Sequence, residues 1–279
     1  MDSFVFTAVL FAAFAHAGWN AAAKRGLDPL VTTVLMAICA GLIGLALIPL
    51  VGLPAWPAWP WVIASALIHV VYFGALIEGY AAGDMGVVYP IARGAAPLMT
   101  AAATATLVAE RIGLFGWLGV GLLAAGVGVL SLRRGAAQLV RRAVGFALLT
   151  AVTICVYTLV DGIGARRAGS AHAYTASIFF GIGIAMASYA FVRRGPRVFA
   201  LMAREWRPGL SGGALQIGSY GIAIWAMTVA PIALVAALRE TSVLFGAILA
   251  VALLKEPLLA SRVAAALMIV CGLVMIRLA

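Results

Sequence analysis

Charged residues are scarce in this sequence. Only 10% of its 279 residues are Asp, Glu, Lys or Arg, whereas a soluble domain carries about 25%. Apolar residues make up 65% of the chain, and the mean hydropathy is +1.12. This balance excludes a soluble globular domain and predicts a membrane protein that crosses the bilayer several times.

Sequence motifs of enzymes are also missing. There is no phosphate-binding glycine loop, no HExxH motif and no cluster of Cys and His. No lysine lies in the middle of an apolar run, which argues against a retinal Schiff base. We therefore expect no catalytic residue, cofactor or metal, and a protein that is not an enzyme.

Cysteines are few, and neither a typical signal peptide nor a long linker is recognisable in the sequence. Cys39, Cys155 and Cys271 each lie inside an apolar run, so we expect buried small hydrophobes and no disulfide framework. Asp2 stands where a signal peptide is basic, and the first apolar run is long enough to span a membrane. No linker of any length indicates an attached soluble domain.

Ten apolar runs of roughly 20 residues are present, which is the length that a hydrocarbon core of about 30 Å requires. In lipid each run must be helical, because no water is there to satisfy the backbone. The predicted spans are 4–23, 30–51, 61–82, 87–108, 112–131, 143–165, 172–193, 209–229, 231–253 and 260–278.

An internal repeat relates the two halves of the chain. A shift of 146 residues places Arg93 on Arg239 and Glu110 on Glu256. Such matches carry weight because charge is scarce here, and a repeat decides the architecture. We predict two five-helix repeats, 1–132 and 143–279, joined by a basic loop at 133–142. An odd number of spans per half makes the repeat inverted.

The net charge of +10 does not indicate nucleic-acid binding, since the basic residues form short clusters between apolar runs. Thirteen Lys and Arg follow odd-numbered spans and four lie on the opposite side. By the positive-inside rule the first side is cytoplasmic and both termini lie outside. The basic stretch 193–208 is either a short interfacial helix or a solvated loop.

Ionisable residues inside the spans are costly, and they are therefore site candidates. Arg93 and Arg239 must find carboxylates, carbonyls or water, and we name Glu78, Asp161 and Glu240 as gating or ion-pair candidates. Two interpretations remain open for the arginines: a fixed ion pair between helices, or an anchor for a substrate carboxylate.

Polar and aromatic side chains form stripes on several spans, which indicates a lined cavity or bonds between helices. In the first half the stripes place His16 with Trp19 and Asn20, and His69 with Tyr72. In the second half Thr153, Tyr157 and Asp161 share one face, and Gln216, Ser219 and Tyr220 share another. From these we take as substrate-binding candidates His16, Trp19, Asn20, His69, Tyr72, Tyr89, Arg93, Tyr157, Ser219, Tyr220 and Arg239.

At the level of the whole chain, the sequence resembles the drug/metabolite transporter superfamily, and its EamA-like branch most closely. The resemblance rests on ten spans in two halves, Trp19-Asn20 late in span 1, and a Pro97-containing span 4 that closes on Glu110 before a Gly-rich span. Within that branch, His69, Tyr72 and Tyr89 resemble the arrangement in aromatic amino acid exporters, which implies that they line the central cavity.

This resemblance also implies export or exchange of amino acids, metabolites or cationic drugs. The small multidrug relatives have an acidic residue in the middle of span 1, where this chain has His16 and Asn20, so their proton-for-cation exchange does not carry over. The superfamily is often drawn with cytoplasmic termini, which conflicts with the Lys and Arg distribution.

Taken together, the sequence predicts a monomeric multi-pass carrier of the inner (plasma) membrane, with the lipid bilayer and a small-molecule substrate as its partners. It would export small organic solutes, above all amino acids, by alternating access. Alternatives are an exporter of other metabolites or cationic drugs, a sugar-phosphate or nucleotide-sugar carrier, an integral-membrane enzyme, and a partner subunit without a transport path.

Overall fold

The structure is a computed structural model of the chain. It describes the backbone of residues 1–23, 29–82, 85–131, 141–246, 248 and 260–279. Within these ranges it does not describe the side chains at 19–23, 29, 80, 85–87, 89, 90, 130, 131, 204, 260 and 262.

Helices and short connections account for nearly all of the described residues. The α-helices are α1 (Ser3–Ala23), α2 (Pro29–Val51), α3 (Trp59–Ala82), α4 (Met85–Ala103), α5 (Leu114–Ser131), α6 (Arg141–Arg167), α7 (Ala171–Arg194), α8 (Arg197–Arg204), α9 (Trp206–Val229), α10 (Ile232–Arg239) and α11 (Ala260–Leu278). A 3₁₀ turn at Trp56–Ala58 precedes α3, and a π-helical turn at Thr104–Val108 extends α4.

By length and composition, five stretches of these helices are able to cross a membrane: Leu30–Val51, Trp56–Gly79, Ile91–Val108, Arg141–Arg167 and Ala171–Arg194. Three shorter apolar helices are Ser3–Gly18, Leu114–Val129 and Val263–Leu278. A helical membrane protein is thereby confirmed, whereas the inverted arrangement of ten spans stays a prediction that we take up below.

Two ion-pair clusters mark opposite ends of the helix bundle. In the Glu78 cluster, Glu78 at the end of α3 pairs with Arg193 at 2.9 Å and with Arg142 at 3.6 Å. In the Glu110 cluster, Glu110 pairs with Arg166 at 2.7 Å. Arg142 lies in the first turn of α6 and Arg166 lies in its last turn. The clusters are therefore about 36 Å apart along the helix axis. This separation exceeds a hydrocarbon core of about 30 Å.

The Glu110 cluster stabilises the tight turn between α9 and α10. Pro231 holds Ala230 in extended backbone and ends α9. The turn leaves carbonyls without helical partners, and Arg166 donates to the carbonyls of Met227 at 2.8 Å and Ala230 at 3.1 Å. Glu110 accepts from the first N–H of α10, that of Ile232, at 3.1 Å.

In the sequence, Glu110 lies just before the helix that follows it, α5. The carboxylate instead caps α10, whose N-terminus lies 122 residues further along the chain. This geometry satisfies a helix N–H and neutralises Arg166 with one side chain. Glu256, its counterpart in the repeat, lies outside the described residues.

The helix predicted over 231–253 is interrupted, because α10 ends at Arg239 and Glu240 and Thr241 form a turn. The N–H groups of Glu240 and Thr241 bond three residues back, to Ala237 and Leu238, and the Thr241 hydroxyl also donates to the Leu238 carbonyl at 2.7 Å. This local bonding competes with the helical ladder. Helical structure resumes at 242–246. Broken helices at membrane depth are typical of transporter binding sites.

Close helix contacts depend on glycine. At Gly119 in α5, an added Cβ would lie 2.8 Å from the Gly272 carbonyl oxygen and 2.7 Å from Ile276 on α11. At Gly126, further along the same face of α5, an added Cβ would lie 3.0 Å from the Ala265 carbonyl oxygen. Small residues let helices approach this closely in lipid, where packing drives association.

Two lesser predictions have clear outcomes. A short helix within the basic stretch 193–208 is confirmed as α8, which buries Val198 and Met202. All three cysteines are free, but only Cys39 and Cys155 are buried. The prediction is wrong for Cys271, which is exposed because it lies on the outward side of the last helix.

We expect Gly119→Ala to lower the stability of the bundle. The added methyl group would meet backbone and Ile276, and overpacking of this kind costs about 1–3 kcal/mol. The matched control is Gly121→Ala on the same helix, where an added Cβ meets nothing within 4 Å. Thermal unfolding of the purified proteins in detergent measures the difference. Equal midpoints for the two variants would contradict the packing described here.

Candidate functional site

A cavity lies between α1, α3, α6, α7, α9 and α10. Its lining residues are His16, His69, Tyr72, Phe73, Tyr157, Phe179, Ile182, Gln216, Tyr220 and Arg239. The space open to the centre of a water molecule is about 40 Å³. One water needs about 10–15 Å³ of such space, so the cavity has room for a few waters and must widen to admit an organic solute.

Three aromatic rings form the main wall. His69 from α3 stacks on Tyr157 from α6, with ring centroids 4.4 Å apart. Tyr220 from α9 meets both rings edge-on, at 6.1 Å from His69 and 6.0 Å from Tyr157. Tyr72 adds a fourth ring, edge-on to Tyr157 at 5.5 Å. Offset and edge-to-face contacts of this kind stabilise aromatic pairs beyond simple burial, and they fix the wall across three helices.

Asp161 holds Tyr220 in place from behind the wall. Its carboxylate is fully buried and accepts hydrogen bonds from Tyr220 at 2.5 Å and Tyr174 at 3.1 Å. Ser65 contributes another hydrogen bond. Among the described residues no Lys or Arg lies within ion-pair distance of Asp161. This ion-pair candidate is therefore bonded to neutral hydroxyl groups instead. Buried charged groups need such partners.

Arg93 is held by fixed protein partners. Its Nε lies 2.9 Å from Glu240 Oε2, and both side chains are at least 94% buried. One Arg93 nitrogen also donates to the Ser242 hydroxyl at 3.1 Å and approaches His16 Nε2 at 3.3 Å. Glu240 lies in the break after α10 and Ser242 begins the helical segment that follows, so these contacts join α4 to the broken helix.

Arg239 is in a different environment from Arg93. It lines the cavity, and its guanidinium carbon lies 4.5 Å from the centroid of the Tyr220 ring. No carboxylate of the described residues lies within ion-pair distance of it. A guanidinium over an aromatic face is a cation–π contact, which leaves its hydrogen-bonding edge available. Arg239 therefore provides a positive charge at the wall of the cavity.

Several sequence candidates gather at the cavity, and others do not. His16, His69, Tyr72, Tyr157, Tyr220 and Arg239 line it. Ser219 is buried but donates to the carbonyl of Gln216 within its own helix. Thr153 likewise bonds the Thr150 carbonyl. Glu78 lies at the end of the bundle, where Arg142 and Arg193 reach it from two other helices.

The structure does not describe the side chains of Trp19, Asn20 and Tyr89, so these candidates lie outside the described residues. It adds Ser65, Tyr174 and Ser242, which hold Asp161 and Arg93. A signal for Ser65 was available, because it precedes His69 by one helical turn. Tyr174 and Ser242 reach their partners across the fold, which no local pattern indicates.

The architecture defines a multi-pass helical membrane protein, and its helices enclose a buried cavity lined by aromatic and polar side chains. Residues 141–278 match the EamA-like transporter family. The C-terminal half of the chain therefore belongs to this family of transporters, which confirms the family that the sequence resemblance predicted. A membrane location and a small-molecule substrate follow from this membership.

A solved crystal structure shares the fold, with a TM-score of 0.78 and 20% sequence identity over 99% of this chain and 96% of the other. At this identity the likeness concerns the fold alone. No curated protein matches the chain.

We expect Arg93→Met to destabilise the protein strongly, because it leaves Glu240 as an uncompensated buried charge. Breaking a buried pair costs about 3–5 kcal/mol, whereas replacing both partners is often close to neutral. The double variant Arg93→Met with Glu240→Gln should therefore regain most of the loss in thermal unfolding experiments.

The matched control is Arg142→Met at the exposed pair with Glu78, which should cost no more than about 1 kcal/mol. A double variant as unstable as Arg93→Met alone would contradict the pairing of Arg93 with Glu240.

Proposed function

We propose that the protein exports amino acids, with apolar or aromatic side chains preferred, across the inner (plasma) membrane. The cavity between the helices is the substrate site, and transport proceeds by alternating access. One observation carries the proposal: Arg239, an arginine without a carboxylate partner among the described residues, faces a cavity whose wall is mainly aromatic.

Charge supports a substrate with a carboxylate. A guanidinium at membrane depth needs an anion, carbonyls or water. Arg93 has Glu240 and Ser242 as protein partners, whereas Arg239 has the Tyr220 ring. Of the two arginines that the sequence offers, we therefore assign the substrate carboxylate to Arg239, where two parallel N–H···O bonds give orientation as well as affinity.

The ring wall supports an apolar substrate side chain. Tyr72, Phe73, Tyr157 and Phe179 line the same cavity as Arg239. Aromatic surfaces with a few fixed polar groups are typical of sites for organic solutes. A cationic drug would meet the charge of Arg239, and a sugar phosphate would find a single arginine on the lining, so both alternatives rank lower.

The small volume of the cavity supports alternating access. With room for a few waters, it holds no amino acid until the helices around it move apart. The Glu78 and Glu110 clusters join helix ends at opposite ends of the bundle. We assign to them the role of contacts that break in turn when either side of the cavity opens.

Helix direction supports two inverted repeats, 1–132 and 143–279, linked by the loop 133–142. Phe4 at the start of α1 packs on Trp225 near the end of α9, beside the Glu110 cluster, while α6 starts in the Glu78 cluster. The contacts between α5 and α11, the last helices of the two halves, also support a repeat. Gly119 meets Gly272 and Gly126 meets Ala265, and the shift of 146 relates 119 to 265 and 126 to 272.

We expect Arg239→Leu to lower uptake of labelled amino acids into proteoliposomes by about 10- to 100-fold. A loss of this size corresponds to the free energy of one charge-assisted hydrogen bond to the substrate carboxylate. The corresponding amino alcohols, which lack the carboxylate, should inhibit uptake by the wild type and by the variant with equal potency. Arg207→Leu, at an exposed arginine over Trp206, is the control. Unchanged amino acid uptake by Arg239→Leu would remove the carboxylate anchor.

Inverted repeats predict opposite sides for equivalent connections. Leu53 follows α2 and Arg197 follows α7, and both are exposed. On a background without the three native cysteines, Leu53→Cys and Arg197→Cys should react with an impermeant maleimide from opposite sides of the membrane. The Lys and Arg distribution places Arg197 in the cytoplasm. Labelling of both positions from one side would refute the inversion.

A further inference from the structure

Gln216 is a buried polar group of the cavity without an assigned role. It lies on α9 one helical turn before Tyr220, lines the cavity, and is only 9% exposed. Its Oε1 atom is buried and has no hydrogen-bond partner in the described part of the chain. Buried amide oxygens are normally paired, and an exception calls for an explanation. A donor supplied by a ligand would satisfy this one.

His69 presents a second acceptor to the same cavity. Its Nδ1 lies 2.8 Å from the carbonyl oxygen of Ser65. A carbonyl only accepts, so Nδ1 carries the proton in this bond, and in the neutral ring Nε2 is then an acceptor. The tautomer is therefore set by α3 itself, through a contact one helical turn back.

The cavity consequently has two poles. Arg239 supplies donors and a positive charge, while Gln216 and His69 supply acceptors. The ring faces of Tyr157 and Tyr72 add electron-rich surface, which attracts an ammonium group. Arg239, Gln216 and His69 line the same cavity, so one small ligand can contact both poles. An α-amino acid carries a carboxylate and an ammonium group on one carbon, so a single small molecule offers a partner to each pole.

We propose that Gln216 and His69 bind the α-ammonium group of a zwitterionic amino acid whose carboxylate is held by Arg239. The inference rests on the proposed function and sharpens it: the site selects amino acids over carboxylates of the same shape that lack the amine. Gln216 is then a specificity-determining residue, since its oxygen is left unpaired by a ligand without that donor.

The experiment uses the full-length protein in liposomes, with uptake of labelled L-phenylalanine as the readout. Unlabelled L-phenylalanine and 3-phenylpropionate, in which a hydrogen atom replaces the ammonium group, serve as competitors. We expect wild type to prefer L-phenylalanine by about 10-fold or more. Gln216→Leu should reduce this ratio by at least about 5-fold, whereas Gln216→Glu, which keeps an acceptor oxygen, should retain it.

Ser211→Ala, at an exposed position on the same helix, is the control and should leave the ratio at the wild-type value. A wild-type protein that binds both competitors equally, a Gln216→Leu variant with the wild-type ratio, or a Gln216→Glu variant that loses the ratio would overturn the inference. If none of the twenty amino acids is transported or competes, the proposed function itself fails. The two failures are therefore distinguishable.

Discussion

Charge inside the bilayer is the constraint on which the rest of the structure depends. An arginine at membrane depth is tolerated only where protein groups, water or a ligand stabilise it. The chain places two arginines there and treats them differently. Arg93 is bound to Glu240 and Ser242, which joins α4 to the segment that follows α10. Arg239, one residue before Glu240, turns to the cavity and lies over Tyr220. The adjacent residues Arg239 and Glu240 thus have different roles: Glu240 joins two helices through Arg93, and Arg239 faces the cavity.

The angle between neighbouring side chains makes this division possible. In a continuous helix, residues 239 and 240 would point about 100° apart on one rod. The backbone of Glu240, in the turn after α10, stays in the helical region at φ −67° and ψ −16°, so its carboxylate faces α4 while the Arg239 guanidinium faces the cavity. Support for the turn comes from both ends of α10: Glu110 and Arg166 hold its N-terminus, and Arg93 holds the residues after its C-terminus. Glu110 and Arg93 from the first half of the chain therefore help to position the cavity residue of the second half.

The sequence predicted those features that a local pattern determines. Apolar runs of membrane-spanning length identified most helices, and the 3- and 4-residue spacing of His69, Tyr72 and Tyr220 with their neighbours indicated which faces turn inward. Partners across the fold were not predictable. Nothing in the sequence distinguishes Arg93 from Arg239, or indicates that Glu110 caps α10 and that Glu78 meets Arg142 and Arg193. The break in span 9 was missed because apolar runs flank Glu240 and Thr241 on both sides, and hydrogen bonding to Leu238 and Ala237 interrupts the helix there.

The central claim is that the carboxylate of a transported solute binds Arg239 inside the aromatic cavity. An experimental structure of the protein with a bound amino acid tests it most directly. The account predicts carboxylate oxygens within about 2.7–2.9 Å of the Arg239 guanidinium nitrogens, with the substrate side chain against Tyr72 and Tyr157, and with Arg93 still paired to Glu240. A substrate whose carboxylate lies on Arg93, or one bound outside the cavity, would contradict it.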